Sequence, residues 1–204
     1  EFYTKCRAAD VKPVLGCEVY VEPNGYTCRD SKSSYHLILL AENQEGYHNL
    51  VRLVSTASTD GFYYKPRIDH ELLAKYSKGL IGASACLGGE IPNMIIKGDI
   101  EGATSRAELY RDILGKDNFY LEIQHNSIPE QAIVNKNLVD IAKKANFSLI
   151  ATNDAHYMKR SDASWHDILL CVQTGNTVDT PNRYRFTGDD YYFRSPEEMW
   201  SIFG

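Results

Sequence analysis

The chain of 204 residues has no run of about 18 apolar residues, which excludes a helix able to cross a bilayer. Its first residues lack a basic-then-apolar order, so export finds no support and the expected location is cytoplasmic. The five cysteines, Cys6, Cys17, Cys28, Cys86 and Cys171, are odd in number and never spaced C-x-x-C. That argues against a disulfide framework or a zinc ribbon and for reduced thiols. No G-x-G-x-x-G or G-x-x-x-x-G-K-[ST] follows an apolar run, which disfavours a Rossmann or P-loop nucleotide site. Positive charge is also short: 22 Lys and Arg against 27 Asp and Glu leave a net charge of −5. A stand-alone binder of duplex DNA is usually basic, so any nucleic-acid contact must be local or supplied by other domains.

What is present is an ordinary apolar complement, 43% of residues, enough for one domain with a sizeable core. Glu1 to Ala9 reads as the back half of an amphipathic helix, with Phe2, Cys6 and Ala9 on one face. A start inside an element suggests a fragment whose first strand is missing. Strands are expected at 14–21 (VLGCEVYV), 35–41 (YHLILLA), 79–86 (GLIGASAC), 119–124 (FYLEIQ) and 148–157 (SLIATNDAHY), with a polar loop at 24–34. Helical spacing marks 43–58, 101–114, 130–145 and 161–172. Ser127 and Pro129 are expected to cap the third of these. Near the end, a short strand precedes Ser195, whose partner Glu198 makes a capping box. The near-continuous apolar run at 35–41 suits a strand buried on both faces, as in parallel sheets. Strand and helix alternate, so the expected class is α/β. With a strand restored in front, a closed or distorted barrel is expected, an open doubly wound sheet being the alternative.

In such folds chemistry collects where strands end and loops begin. Glu18, His36, Cys86, Asp154 and His156 each interrupt an apolar strand segment. A charge or imidazole there costs several kcal/mol unless it is paired or bound to a metal. Each also has a plain reading: Glu18 as a strand charge paired with Lys or Arg, His36 as a hydrogen-bonded core histidine, Cys86 as a small core residue. Asp154 and His156 could be a structural pair, although their alternate spacing sends both to one side of a strand. Together the five form a ligand set suited first to Zn²⁺, with Mn²⁺ or Fe²⁺ as weaker options. Cys17 should point away from Glu18. Lys65 and Arg67, among Phe62, Tyr63 and Tyr64, form a basic–aromatic loop that could meet a phosphate backbone and a stacked base, or could be a solvated loop. His166 is expected to satisfy a core hydrogen bond.

The stretches GCEVYV, YHLILLAENQEGYHNL, GFYYKPRID, GLIGASACLGGE, NFYLEIQHN, IPEQ, LIATNDAHY and HDILLCVQTG occur in order. They resemble the successive signatures of the PHP (polymerase and histidinol phosphatase) domain of the bacterial replicative DNA polymerase III alpha subunit. The resemblance implies a distorted (β/α)₇ barrel with its first strand absent, covering 1–194, and SPEEMWSIF at 195–204 as the start of the following polymerase domain. It implies divalent metal ions: zinc foremost, with manganese or magnesium as alternatives, held by Glu18, His36, Cys86, Asp154 and His156. By that resemblance Glu18 bridges two ions, His36 and Cys86 complete one, Asp154 serves the second and His156 the third. The family's first motif, an H-x-H strand followed by Asp and His, is missing, which leaves two positions short of ligands. Glu18, Asp154 and His156 would be the catalytic residues. The implied function is metal-dependent 3′–5′ exonuclease proofreading within a DNA-directed DNA polymerase. Its partners would be the primer 3′ end of DNA, the other polymerase domains and replisome subunits, with no membrane. The alternative is a non-catalytic domain that stabilises the polymerase and docks a separate proofreading subunit. A histidinol-phosphate-type phosphatase would not need the SPEEMWSIF continuation. No residues resemble a polymerase palm, so these 204 residues are not expected to synthesise DNA.

Overall fold

The structure, a computed structural model, describes residues 1–30, 32 and 34–204. Helix α1 (Phe2–Ala8) comes first and buries none of its residues fully. Strands β1 (Gly16–Val21) and β2 (Tyr35–Ala41) follow, joined by the expected loop, of which residues 31 and 33 lie outside the described residues. No helix crosses over between them, so the chain reverses and the pair is antiparallel. Strand β2 is antiparallel to its other neighbour as well, β4 (Leu80–Ala83). The parallel pattern read from its apolar run is therefore corrected. Cover on both faces produces the same residue pattern whichever way a strand runs.

Helix α2 (Gln44–Thr59) begins at Asn43, whose side chain accepts from the Gly46 amide at 3.0 Å. A Cβ on Gly46 would stand 1.7 Å from the Gly79 carbonyl oxygen, so only glycine lets this helix start against the turn before β4. Three short elements escaped the sequence pattern: β3 (Arg67–Ile68), α3 (His70–Lys75) and α4 (Glu90–Ile96). None is long enough to display a period. The longer units stand close to where periodicity placed them: α5 (Ile100–Leu114), β5 (Phe119–Gln124), α6 (Pro129–Ala145), β6 (Ser148–Thr152) and α7 (Ala163–Thr174). The N-cap of α6 is Ile128, with Pro129 in its first turn, rather than Ser127. Helix α8 (Pro196–Phe203) carries the expected Ser195–Glu198 capping box. The expected strand before it reduces to one bridge, Tyr157 with Tyr192.

The six strands form one sheet in the order β3-β1-β2-β4-β5-β6. Strands β4, β5 and β6 run parallel, linked by helical crossovers. The result is a mixed α/β architecture consistent with the PHP type, with the sheet open rather than closed into a ring. Register separates its two faces. Val19 lies opposite Leu37 and Cys17 opposite Leu39, on the face that packs into the helices. Leu37, Leu39, Leu53, Leu73 and Leu121 there are essentially inaccessible. Each such side chain contributes about 1.5–3 kcal/mol by leaving water. Glu18 lies opposite Ile38 and Tyr20 opposite His36, on the other face.

Two buried ionic clusters tie the connections down. Glu90 on α4 accepts from Tyr110 at 2.8 Å, pairs with Arg106 at 3.1 Å and meets His70 at 3.1 Å, joining α3, α4 and α5. Arg67 on β3 is fully buried: it faces Glu22 at 3.3 Å, reaches the carbonyls of Gly61 and Cys28, and lies under the Tyr63 ring. This corrects its reading as a phosphate contact. Its guanidinium is consumed inside the fold, holding the loop after β1 against the edge strand. Lys65 remains exposed, over the ring of Tyr20 at 5.1 Å.

Replacing Arg67 by Leu strands the Glu22 carboxylate in the interior and should cost about 3–5 kcal/mol in urea unfolding. Lys65→Ala should fall within about 0.5 kcal/mol of the parent.

Candidate metal centre

The reversal of β2 determines where the site forms. Because β2 runs against β1 and β4, its first residues lie beside the last residues of both. His36 therefore stands at the start of its strand, whereas Gln124 closes β5 and Cys86 and Asp154 follow the ends of β4 and β6. The sequence reading had placed all the candidates at strand ends; the antiparallel strand is the exception that still brings its histidine to the same rim.

Glu18 Oε1 is 3.3 Å from His36 Nδ1, and Cys86 Sγ is 3.5 Å from that same nitrogen. Glu18, His36 and Cys86 offer one ligand atom each, all within 4.8 Å of one another, the one such group of three among the described residues. Tetrahedral zinc with Zn–N near 2.0 Å and Zn–S near 2.3 Å separates its ligand atoms by about 3.3–3.8 Å. The two spacings from His36 match, and the third lies within 4.8 Å, so these residues fit a divalent ion. The turn that delivers Cys86 is tight: the Gly89 amide donates to the Cys86 carbonyl at 2.8 Å, and a Cβ on Gly89 would stand 2.1 Å from the Ser84 carbonyl. The His36 amide donates to Gly88 at 2.9 Å, which locks strand and turn together.

Asp154 and His156 form a second pair, with Oδ1 to Nε2 at 3.2 Å. They share with His36 and Cys86 a cavity of about 300 Å³, also lined by Asn126, Arg185 and Tyr191. The His156 ring packs on Phe186 at 4.7 Å, and on Tyr191 and His166 at 5.8 and 5.7 Å. His166 is thus an aromatic neighbour of the site, with no hydrogen bond among the described residues, and not the core hydrogen-bonding histidine expected.

Electrostatics follows from burial and crowding of acids. Burial, reinforced by the charges of Asp154, Glu18 and Glu122, pushes the Cys86 thiol up to about 11, against a partial opposing hydrogen bond from the Gly88 backbone. The hydrogen bond to Asp154 raises His156, although burial opposes it. A folded value above the unfolded one means that the protonated His156–Asp154 pair stabilises the fold below about pH 6.5. That contribution is lost as pH rises through the raised value.

The structure adds a residue that sequence reasoning missed. Glu122, in the middle of β5, is buried on the same face as Glu18. Its carboxylate accepts from the Ala85 amide at 3.1 Å, from Gln124 at 3.0 Å and from the Thr152 hydroxyl. Burial raises its pKa. It thereby ties the turn before Cys86, which includes Ala85 at φ 63°, to the strand leading to Asp154. The signal was available: FYLEIQ interrupts an apolar strand with a carboxylate, as GCEVYV does.

Comparison with known proteins follows the same lines. Residues 1–126 match the family described as PHP domain. The chain is 44% identical over 204 residues to the DNA polymerase III subunit alpha of Thermus aquaticus, covering 98% of this chain and 17% of that protein. To the protein of that name from Deinococcus radiodurans it is 43% identical, covering 97% of this chain and 15% of the relative. To that from Borreliella burgdorferi it is 41% identical, covering all of this chain and 18% of the relative. The chain thus spans less than a fifth of the length of these relatives.

A cation entering between Glu18, His36 and Cys86 must displace the thiol proton, because at neutral pH the thiol lies well below its own pKa. Zinc affinity, measured by competition with a chelator between pH 6 and 8, should rise about tenfold per pH unit from that proton alone. Cys86→Ser should weaken binding and flatten the slope by one proton.

Proposed function

The chain belongs to the PHP domain family, and from that premise we propose that it hydrolyses phosphodiester bonds with bound divalent metal inside a replicative DNA polymerase III alpha subunit. The product removed is the 3′-terminal nucleotide of DNA, in proofreading. Convergence of Glu18, His36 and Cys86 on one point, with His36 and Cys86 sharing a cavity with Asp154 and His156, is the observation that carries this reading. Zinc is the ion that donor set suits best, with manganese or magnesium as alternatives. A divalent ion held there by Glu18, His36 and Cys86 would lower the pKa of its water toward about 7 and polarise the phosphoryl oxygens.

The chain's own residues divide the remaining work. Glu18, His36 and Cys86 hold one position. Asp154 and His156 add a carboxylate and an imidazole to the lining of the same cavity, and Asp154 holds a proton on His156 Nε2. Glu122 keeps the two ligand-bearing segments in register. Lys65 is the basic residue proposed to contact the DNA backbone, a reading supported by its exposure and its place over Tyr20, whose ring stands 5.2 Å from that of His36. In the assembled enzyme the partners are the primer 3′ end, the other polymerase domains and replisome subunits, in the cytoplasm. Residues 1–194 form the PHP unit, and α8 leads into the next domain. No helix among the described residues is long and apolar enough to cross a membrane.

A second reading draws on a different observation. Helix α7 exposes Trp165, Ile168, Leu169 and Val172, which recur at helical spacing on one face. Such a stripe favours a domain whose role is to dock, either on the rest of the polymerase or on a separate proofreading subunit.

The intact polymerase should release 3′ nucleotides from labelled single-stranded DNA, and a chelator should abolish the release. Asp154→Asn should lower it about 100-fold or more while primer extension continues. Metal-loaded polymerase that releases none favours the docking role instead. Chelator-resistant release points to another site.

A further inference from the structure

Acid at this cavity poses a problem for an anionic substrate: Asp154 lines it, and Glu18 lies against His36 in its wall. Glu122 is buried on the same face of the sheet as Glu18. A phosphodiester approaching them needs a fixed positive charge of the protein's own, besides any bound ion. Among the residues lining the cavity, Arg185 carries the one permanent positive charge.

Its neighbours are all engaged. Arg183 grips Asp167 of α7 through two bonds, at 2.6 and 2.5 Å, with its side chain almost fully buried. Arg160 pairs with Asp189 at 2.7 Å, and Arg194 with Asp190 at 3.2 Å. Arg185 makes no hydrogen bond or ion pair among the described residues. Its charge reaches Asp167 only through space, and Arg183 already clamps that carboxylate. Nor is its place accidental. Phe186, the next residue, inserts between His156, His166 and Tyr191 at 4.6 to 4.8 Å and pins the loop to the rim. Tyr184, on the other side, is 62% exposed and makes an edge contact with Phe186 at 5.9 Å.

We propose that Arg185 is the phosphate clamp of this site and Tyr184 the surface on which the terminal base stacks, so that the pair recognises a nucleoside 5′-phosphate unit. The proposal rests on the phosphodiester reading above and names the groups that hold its substrate. A guanidinium presents two parallel N–H donors to a phosphate, and an exposed phenol ring accepts any base. The cavity, at about 300 Å³, lies at the lower end of the range for small-molecule sites. One nucleotide is the unit it suits, not a duplex.

The test uses the intact, metal-loaded polymerase, with thymidine 5′-monophosphate as ligand in calorimetry and thymidine 5′-(p-nitrophenyl phosphate) as chromogenic substrate. Arg185→Ala should weaken binding of the monophosphate about 10- to 100-fold and raise KM by a similar factor, with kcat nearly kept. Arg185→Lys should recover part of the loss, because it restores charge without the fork. Tyr184→Ala should weaken the monophosphate and unphosphorylated thymidine alike, whereas Arg185→Ala should spare thymidine. Metal content and melting temperature should match the wild type, since Arg185 has no structural partner to lose. Wild-type binding of the monophosphate by Arg185→Ala, or no binding by the wild type, overturns the proposal. Arg185-dependent binding without turnover in the wild type leaves the clamp standing and removes the hydrolytic reading. Turnover with an unchanged KM in Arg185→Ala does the reverse.

Discussion

A carboxylate or imidazole on the face of an apolar sheet is unfavourable by several kcal/mol unless something compensates it, and much of this structure follows from that cost. Strand alternation sends Glu18 and Tyr20 to the face opposite Val19 and Val21. Once the second face carries Glu18, the cheapest arrangement brings His36 and Cys86 next to it rather than leaving each group alone. Further along the same face, Glu122 satisfies its own charge with three donors: the Ala85 amide in the turn after β4, Gln124 in its own strand and Thr152 in β6. The polar face is thus organised around mutual compensation. Its net excess of acid is what a divalent ion or an arginine can relieve.

The same cost explains the interior charges away from the site. Arg67 and Glu22 face each other with almost no exposure, and Glu90 gathers His70, Arg106 and Tyr110. Neither cluster faces the cavity. Both hold short elements, β3, α3 and α4, that have too few apolar residues to fix themselves. Buried pairs of this kind contribute little net stability relative to apolar replacements, but removing one partner is severe. They act here as fasteners between segments.

Topology then turns a polar face into a site. In a sheet with every strand parallel, the start of β2 would lie at the far end from the C-terminal ends of its neighbours. Reversal of β2 places His36 level with the turn carrying Cys86. The loop after α7 supplies the last wall, anchored by Phe186 against His156. Its arginines are sorted by what is within reach: Asp167 and Asp190 pair with Arg183 and Arg194, and Arg185 is left facing the cavity.

What the sequence determined by itself was the local content. Period-2 and period-3.6 patterns located the longer strands and helices to within a few residues, the Ser195–Glu198 cap included. The intrusion of Glu18, His36, Cys86, Asp154 and His156 into apolar strands marked the candidate ligands, because burial of such groups is costly wherever they sit. Glu122 sent the same signal. The tertiary structure alone decided direction, neighbour and exposure. An apolar strand looks identical run either way, so the reversal of β2 was not legible. A basic–aromatic loop looks identical whether its arginine is solvated or buried, so YYKPR and RYRF could not be told apart. Long-range register, with Glu22 reaching Arg67 and Phe186 reaching His156, assigned one arginine to the interior and the other to the cavity.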